Sequence, residues 1–168
     1  GKWYYLNPNT AKKEKGWLTW GGDTYFLNEQ GVMQTGFVKI GAAVHHFNDQ
    51  GHQTKTGWAQ IDGKWYYFGT YNKLTFGWNY LSGKWYYMDG SGVMQTGRIR
   101  VGGKIYVMSP SGSMYADGWA YSNGSWYYLN SDGSAVTGWK YVSGKWYFMN
   151  DDGRMLTGKI TPGGVTYI

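Results

Sequence analysis

The chain contains no cysteine, so disulfide cross-links and thiolate metal sites are excluded. Charged residues are only 15% of its 168 residues. No apolar run approaches the roughly 20 residues that a membrane helix needs, so membrane insertion is not expected. No secretory signal peptide is visible. The chain opens on Gly1-Lys2-Trp3-Tyr4-Tyr5, the middle of a repeat defined below. It therefore reads as a fragment whose export signal could lie upstream. The formal charge of +6 is spread thinly, with only Lys12, Lys13 and Lys15 clustered. No basic stripe of the kind that tracks nucleic acid is present, and a nucleic-acid partner is not expected.

What the sequence has in surplus is aromatic. Trp, Tyr and Phe make up 20%, with 11 Trp and 17 Tyr, beside 28 Gly. Disordered chains are poor in aromatics, so the surplus is core, binding surface, or both. Its distribution is periodic. Gly followed by a large residue recurs at Trp17, Phe37, Trp58, Trp78, Arg98, Trp119, Trp139 and Lys159, always 20 or 21 residues apart. Seven residues after each comes a second marker, clearest as Trp65-Tyr66-Tyr67, Trp85-Tyr86-Tyr87, Trp126-Tyr127-Tyr128 and Trp146-Tyr147-Phe148. Residues 1–15 hold a partial first copy. Between the markers stand Asp62-Gly63, Ser82-Gly83, Gly102-Gly103, Asn123-Gly124 or Ser143-Gly144, pairs suited to the positive φ angles of tight hairpin turns. Each unit is thus a short β-hairpin followed by a polar, Gly-rich loop. A lone hairpin is marginal in water, whereas stacked hairpins bury their aromatic faces against neighbours. The expected fold is all-β, a solenoid of stacked hairpins with residues 1–168 forming a single module.

Strand alternation separates the triplet: its first and third residues share one face and its middle residue takes the other. The middle residue is Tyr in every copy but one, Tyr25, Tyr66, Tyr86, Tyr106, Tyr127, Tyr147 and Tyr167, with His45 the exception. Such constancy within one chain assigns these tyrosines to packing. The two Trp positions vary, to Phe37, Arg98 or Lys159 and to Thr24, Val44, Ile105 or Thr166. Residues that the fold can spare are the better candidates for binding.

The spacing Gly57-Trp58, Asp62-Gly63-Lys64-Trp65-Tyr66-Tyr67-Phe68, followed by loops that close on pairs such as Thr96-Gly97, resembles the choline-binding repeats of pneumococcal and phage cell-wall proteins. The resemblance covers essentially the whole chain. It implies a left-handed superhelix of hairpins with choline or phosphocholine held between consecutive repeats, by two Trp from one and a Tyr from the next, often with a Met wall. A quaternary ammonium has no N–H to donate and is attracted to aromatic faces, an established use of this interaction, by about 0.5–2 kcal/mol per ring. Carried onto this chain, the pattern implies one full cage, Trp58, Trp65 and Tyr87, with Met94 as fourth wall. A near-complete cage comprises Trp119, Trp126 and Phe148 with Met155. Trp78 and Trp85 are joined by Val107, with Met114 in the matching place, and Trp139 and Trp146 by Ile168. The sets Trp17, Thr24 and His46, Phe37, Val44 and Tyr67, and Arg98, Ile105 and Tyr128 depart from the pattern and are expected to be structural or to bind something else. Trp20 lies outside both markers and is expected to take no part in a cage.

The resemblance further implies a non-catalytic role and no cofactor. It implies attachment to choline-decorated teichoic acid at an extracellular bacterial surface, and leaves room for a homodimer. Glucan-binding repeats are the alternative, because sugars also stack on Trp and Tyr. An enzyme would need a convergent acid, base or nucleophile. The acidic residues here mostly sit in turns and loops, where Asp serves the backbone. His45, His46 and His52 fall in one degenerate unit, and His45 and His46 alternate faces, which disfavours a shared metal ion.

Overall fold

A computed structural model describes residues 1–168. It is all-β, with seven separate two-stranded antiparallel sheets. The hairpins are β1 (Gly16–Trp20) with β2 (Asp23–Leu27), β3 (Gly36–Ile40) with β4 (Ala43–Phe47), β5 (Gly57–Ile61) with β6 (Lys64–Phe68), and β7 (Gly77–Leu81) with β8 (Lys84–Met88). They continue as β9 (Gly97–Val101) with β10 (Lys104–Met108), β11 (Gly118–Ser122) with β12 (Ser125–Leu129), and β13 (Gly138–Val142) with β14 (Lys145–Met149). Contacts divide the chain into two compact units, Gly1–Phe76 with Gly90–Val93, and Gly77–Asp89 with Met94–Ile168. No helix is long and apolar enough to cross a membrane.

The turn chemistry works as the sequence requires. In the β5–β6 turn, Asp62 has φ 49° and Gly63 φ 74°, the two positive values of a type I′ turn. That two-residue turn fixes the register, pairing Trp58 with Tyr67 and Gln60 with Trp65. One face of β5–β6 therefore carries Trp58, Gln60, Trp65 and Tyr67. The other carries Gly57, Ala59, Ile61, Tyr66 and Phe68. The same division holds in every hairpin.

Hairpins stack within each unit because each loop reaches back to the previous repeat. In the first unit the Gln53 amide donates to the Thr24 carbonyl, and the Leu74 amide to the Val44 carbonyl, both at 2.8 Å. In the second, Met114, Ala135 and Met155 donate to the carbonyls of Trp85, Ile105 and Trp126 at 2.7–2.8 Å. The triplet face of one hairpin thereby meets the middle-Tyr face of the next.

Within each unit the core is built on the residue that follows each triplet. Leu27, Phe47 and Phe68 fill it in the first unit; Met88, Met108, Leu129 and Met149 fill it in the second. All are at most 2% exposed. Each lies opposite the glycine of the first marker, as Phe68 does opposite Gly57. Asx turns shape several of the loops. Asn28 Oδ1 accepts from the amides of Gln30 and Val32, and Asn150 Oδ1 from those of Asp152 and Arg154.

Candidate aromatic binding site

The Trp residues are not the core. Trp58, Trp65, Trp85, Trp119, Trp126, Trp139 and Trp146 are 36–65% exposed. A fully buried core supports the fold, so these indoles remain available to a ligand. Within each hairpin the two Trp rings stand nearly perpendicular. Trp58–Trp65, Trp78–Trp85, Trp119–Trp126 and Trp139–Trp146 have centroids 6.3–6.4 Å apart and interplanar angles of 83–90°. Such a corner offers two faces to one guest and leaves the third side to the next repeat.

That third side is the middle tyrosine. The Tyr106 ring lies 4.8 Å from Trp78, Tyr147 lies 4.8 Å from Trp119, and Tyr167 lies 4.8 Å from Trp139. Trp78, Trp85, Tyr106 and Met114 line one open cavity of about 250 Å³. Trp139, Trp146 and Tyr167 line another of about 460 Å³. The assignment of the middle tyrosines to packing alone holds for Tyr66 and Tyr127, which are buried in core clusters, and is corrected for Tyr106 and Tyr167, which wall open cavities beside the indoles.

The third-position residues lie elsewhere. Val107 is fully buried in a cluster with Ala120, Tyr127 and Leu129, so it is core, not a cage wall. Tyr87 packs 5.1 Å from Trp78, and Phe148 5.1 Å from Trp139, each on its own hairpin. They back the Trp of their own repeat, because the third triplet residue sits directly opposite that Trp in the ladder. Ile168 is fully exposed. Trp58 and Trp65 form their corner in the first unit, whereas Tyr87 and Met94 belong to the second. Met114 stands where the pattern expects it, lining the cavity of Trp78 and Trp85. Met155 is tied through its amide to the Trp126 carbonyl.

Two further groups escape the sequence reading. Tyr80, Tyr121 and Tyr141 lie directly across the ladder from Trp85, Trp126 and Trp146, with ring centroids 5.1–5.2 Å away, and extend each aromatic face outward. The signal was the residue two beyond the first Trp, which strand alternation puts on the same face. Trp20, expected to stand apart, lines a cavity of about 470 Å³ with Trp3, Tyr25 and Met33. Here Tyr25 and Met33 take the places that Tyr106 and Met114 take beside Trp85.

Charge also enters. Asp132 lines the Trp78–Trp85 cavity. Hydrogen bonds from the Ser134 hydroxyl and amide, then from Lys104, hold its carboxyl down to about 2. Lys104 Nζ stands 3.1 Å from it. An ionised carboxylate at the rim favours a cationic guest, and the paired Lys104 tempers that preference.

The degenerate repeats place other groups at these positions. Arg98, in a Trp position, pairs with Asp152 at 3.1 Å, and Arg100 joins the same oxygen at 3.2 Å. Beside it Ile105 is buried and Ala135 replaces Met. Phe37 packs 5.0 Å from Tyr66 and 4.7 Å from His46, and Val44 joins the cluster of Tyr66, Phe68 and Leu74. Trp17 meets His45 at 5.0 Å, not His46.

Comparison with known proteins gives a consistent picture. A choline-binding repeat profile matches residues 116–157. A profile described as a putative cell wall binding repeat matches residues 1–9, 15–33, 56–70 and 77–94. Choline binding protein F of Streptococcus pneumoniae is 34% identical, with a TM-score of 0.76 over 95% of this chain and 57% of that one. The same protein, crystallised in the presence of a tetrasaccharide-pentapeptide peptidoglycan analogue, gives a TM-score of 0.74 at 34% identity over 91% of this chain and 55% of that one. CbpJ of S. pneumoniae gives 0.78 at 29% identity, over 99% of this chain and 67% of that one. The chain thus spans little more than half the length of the choline binding protein F structures. No curated protein sequence matches it.

Proposed function

The chain belongs to the choline-binding repeat family, and from that premise we propose that it binds choline or phosphocholine groups on teichoic acid and so attaches a surface protein to the bacterial cell wall. The observation that carries this reading is the cavity of Trp78, Trp85 and Tyr106 with Met114, three rings and a thioether around an open space with an ionised carboxylate at its rim. Trp119, Trp126, Tyr147 and Met155 repeat that composition, Trp139, Trp146 and Tyr167 repeat its rings, and Trp58 with Trp65 repeats its corner. The module acts by binding, and any catalysis of the whole protein belongs to other residues.

The guest sits against aromatic faces, losing little hydration and gaining about 0.5–2 kcal/mol from each ring. Single-site affinity is therefore modest. Several such sites along one module let a choline-bearing polymer bind its second site at raised effective concentration, which multiplies affinity by about 100–10,000 where geometry permits. The net charge of +6 assists approach to the anionic phosphates of the polymer. The test is thermal denaturation with choline and, separately, with an isomaltooligosaccharide. At 100 times the dissociation constant each occupied site adds about 2.7 kcal/mol, so choline is expected to raise Tm by several degrees. A shift with the glucan and none with choline would replace this reading by the glucan-binding one.

A further inference from the structure

One cavity of the first unit has the position of a cage and different chemistry. About 750 Å³ in volume, it opens beside Trp17, within the roughly 300–1,000 Å³ range of small-ligand sites. Where the repeat places a second Trp, a Tyr and a Met, this copy has Thr24, His45 and Gln53. His45 and Gln53 are 5% and 7% exposed and form a polar floor. His45 Nδ1 lies 3.0 Å from the Asn72 carbonyl and 3.0 Å from Gln53 Nε2. Asn72 Nδ2 donates to Gln53 Oε1 at 2.9 Å. Asn72 reaches this floor because it and Tyr71 take positive φ values, 55° and 60°. Above the floor stand three exposed rings, Trp17, Tyr71 and Phe76, and Lys73 joins the wall.

These groups discriminate between guests. A quaternary ammonium finds one indole in place of a Trp corner, and meets the Lys73 ammonium. His45, Gln53 and Asn72 are already bonded to one another, and the imidazole Nε2 and the second N–H of each amide are the donor and acceptor sites that a polar guest can use and an apolar one cannot. Flat aromatic walls over a floor of hydrogen-bonding groups suit a ring with an apolar C–H face and a polar rim. We propose that the Trp17–His45–Gln53 cavity binds an uncharged hexopyranose unit of a glycan, independently of choline. Burial lowers the His45 pKa and favours the neutral ring, with the Lys73 charge acting in the same direction. The tautomer that donates from Nδ1 to the Asn72 carbonyl presents a lone pair at Nε2, the one that accepts from Gln53 Nε2 presents an N–H there, and a sugar hydroxyl pairs with either.

The experiment uses the full chain saturated with choline, so that occupied cages do not compete. Tetra-N-acetylchitotetraose and isomaltotetraose are titrated separately at millimolar concentration while tryptophan indole N–H signals are followed by NMR. The Trp17 signal is identified by its loss in Trp17→Phe. The expected result is a saturable shift of that signal with at least one glycan, unaffected by choline. An acetamido sugar response alone points to peptidoglycan-type chains, a response to the glucose oligomer alone to glucans, and a response to both to the pyranose ring itself. Tyr71→Ala, which removes a ring that is 78% exposed, should weaken binding about 2- to 12-fold, the equivalent of one aromatic contact. Silence of the Trp17 signal to both glycans, displacement of the glycan by choline, or unchanged affinity in Tyr71→Ala would overturn the proposal. None of these outcomes depends on whether the cages bind choline.

Discussion

Tyr106 and Val107 are adjacent in β10 and have opposite duties, which makes them a sharp test of the cage. Tyr106 is half-buried, with its ring 4.8 Å from Trp78 and its side chain in the wall of the Trp78–Trp85 cavity. Val107 is 0% exposed and packs with Ala120, Tyr127 and Leu129. Tyr106→Ala removes one ring of three from the guest, a loss of about 0.5–2 kcal/mol, or a factor of about 2–30 in choline affinity at that site. Val107→Ala removes two buried methyl groups and leaves a small cavity, together worth about 1.5–3 kcal/mol of stability, and leaves every cavity ring in place. The assay is a choline titration read from the indole signals of Trp78 and Trp85, with the Trp119 and Trp126 signals as internal reference, beside a denaturant melt. The expected pattern is weakened binding at Trp78 alone in Tyr106→Ala, and lowered stability with unchanged choline affinity in folded Val107→Ala. The reverse pattern, affinity lost with Val107 and kept without Tyr106, would refute the geometric reasoning and return the third wall to the last triplet residue.

Gly112 has φ 84°, and a Cβ there would collide with the Met94 side chain at Sδ. Gly112→Ala is expected to cost roughly 1–3 kcal/mol from overpacking and left-handed strain, read as a lower melting midpoint; an unchanged midpoint would show that the loop shifts freely. Burial lowers the pKa of both His45 and His46 below 6.5. A histidine whose folded pKa is depressed contributes stability fully present above its unfolded pKa and lost as pH falls below it. Tm is therefore expected to fall between pH 7 and pH 5, by less in a His45→Gln/His46→Gln variant; equal falls in both proteins would remove these histidines as the cause.

The period, the hairpins, their turns and the family were legible in the sequence because each depends on local chemistry. Two-residue turns such as Asp62-Gly63 need positive φ, and alternation over five-residue strands sorts side chains to two faces without reference to anything distant. The two Trp of each corner were legible for the same reason. The face of the following hairpin that closes the corner was not. Consecutive hairpins share no continuous ladder, so their offset is set by the long-range reach of Met114 to Trp85 and Met155 to Trp126 and by the buried core of Met88, Met108, Leu129 and Met149. That offset turns Tyr106, Tyr147 and Tyr167 toward the indoles and buries Val107. Their constancy as tyrosine fits a residue that packs and walls a cavity at once, and sequence variation alone could not separate those duties. The Trp17 cavity lay further out of reach, because its floor joins His45 to a carbonyl 27 residues away. Only the folded chain brings Asn72 there, since a hydrogen bond across that separation is specified by stacking and not by any local pattern.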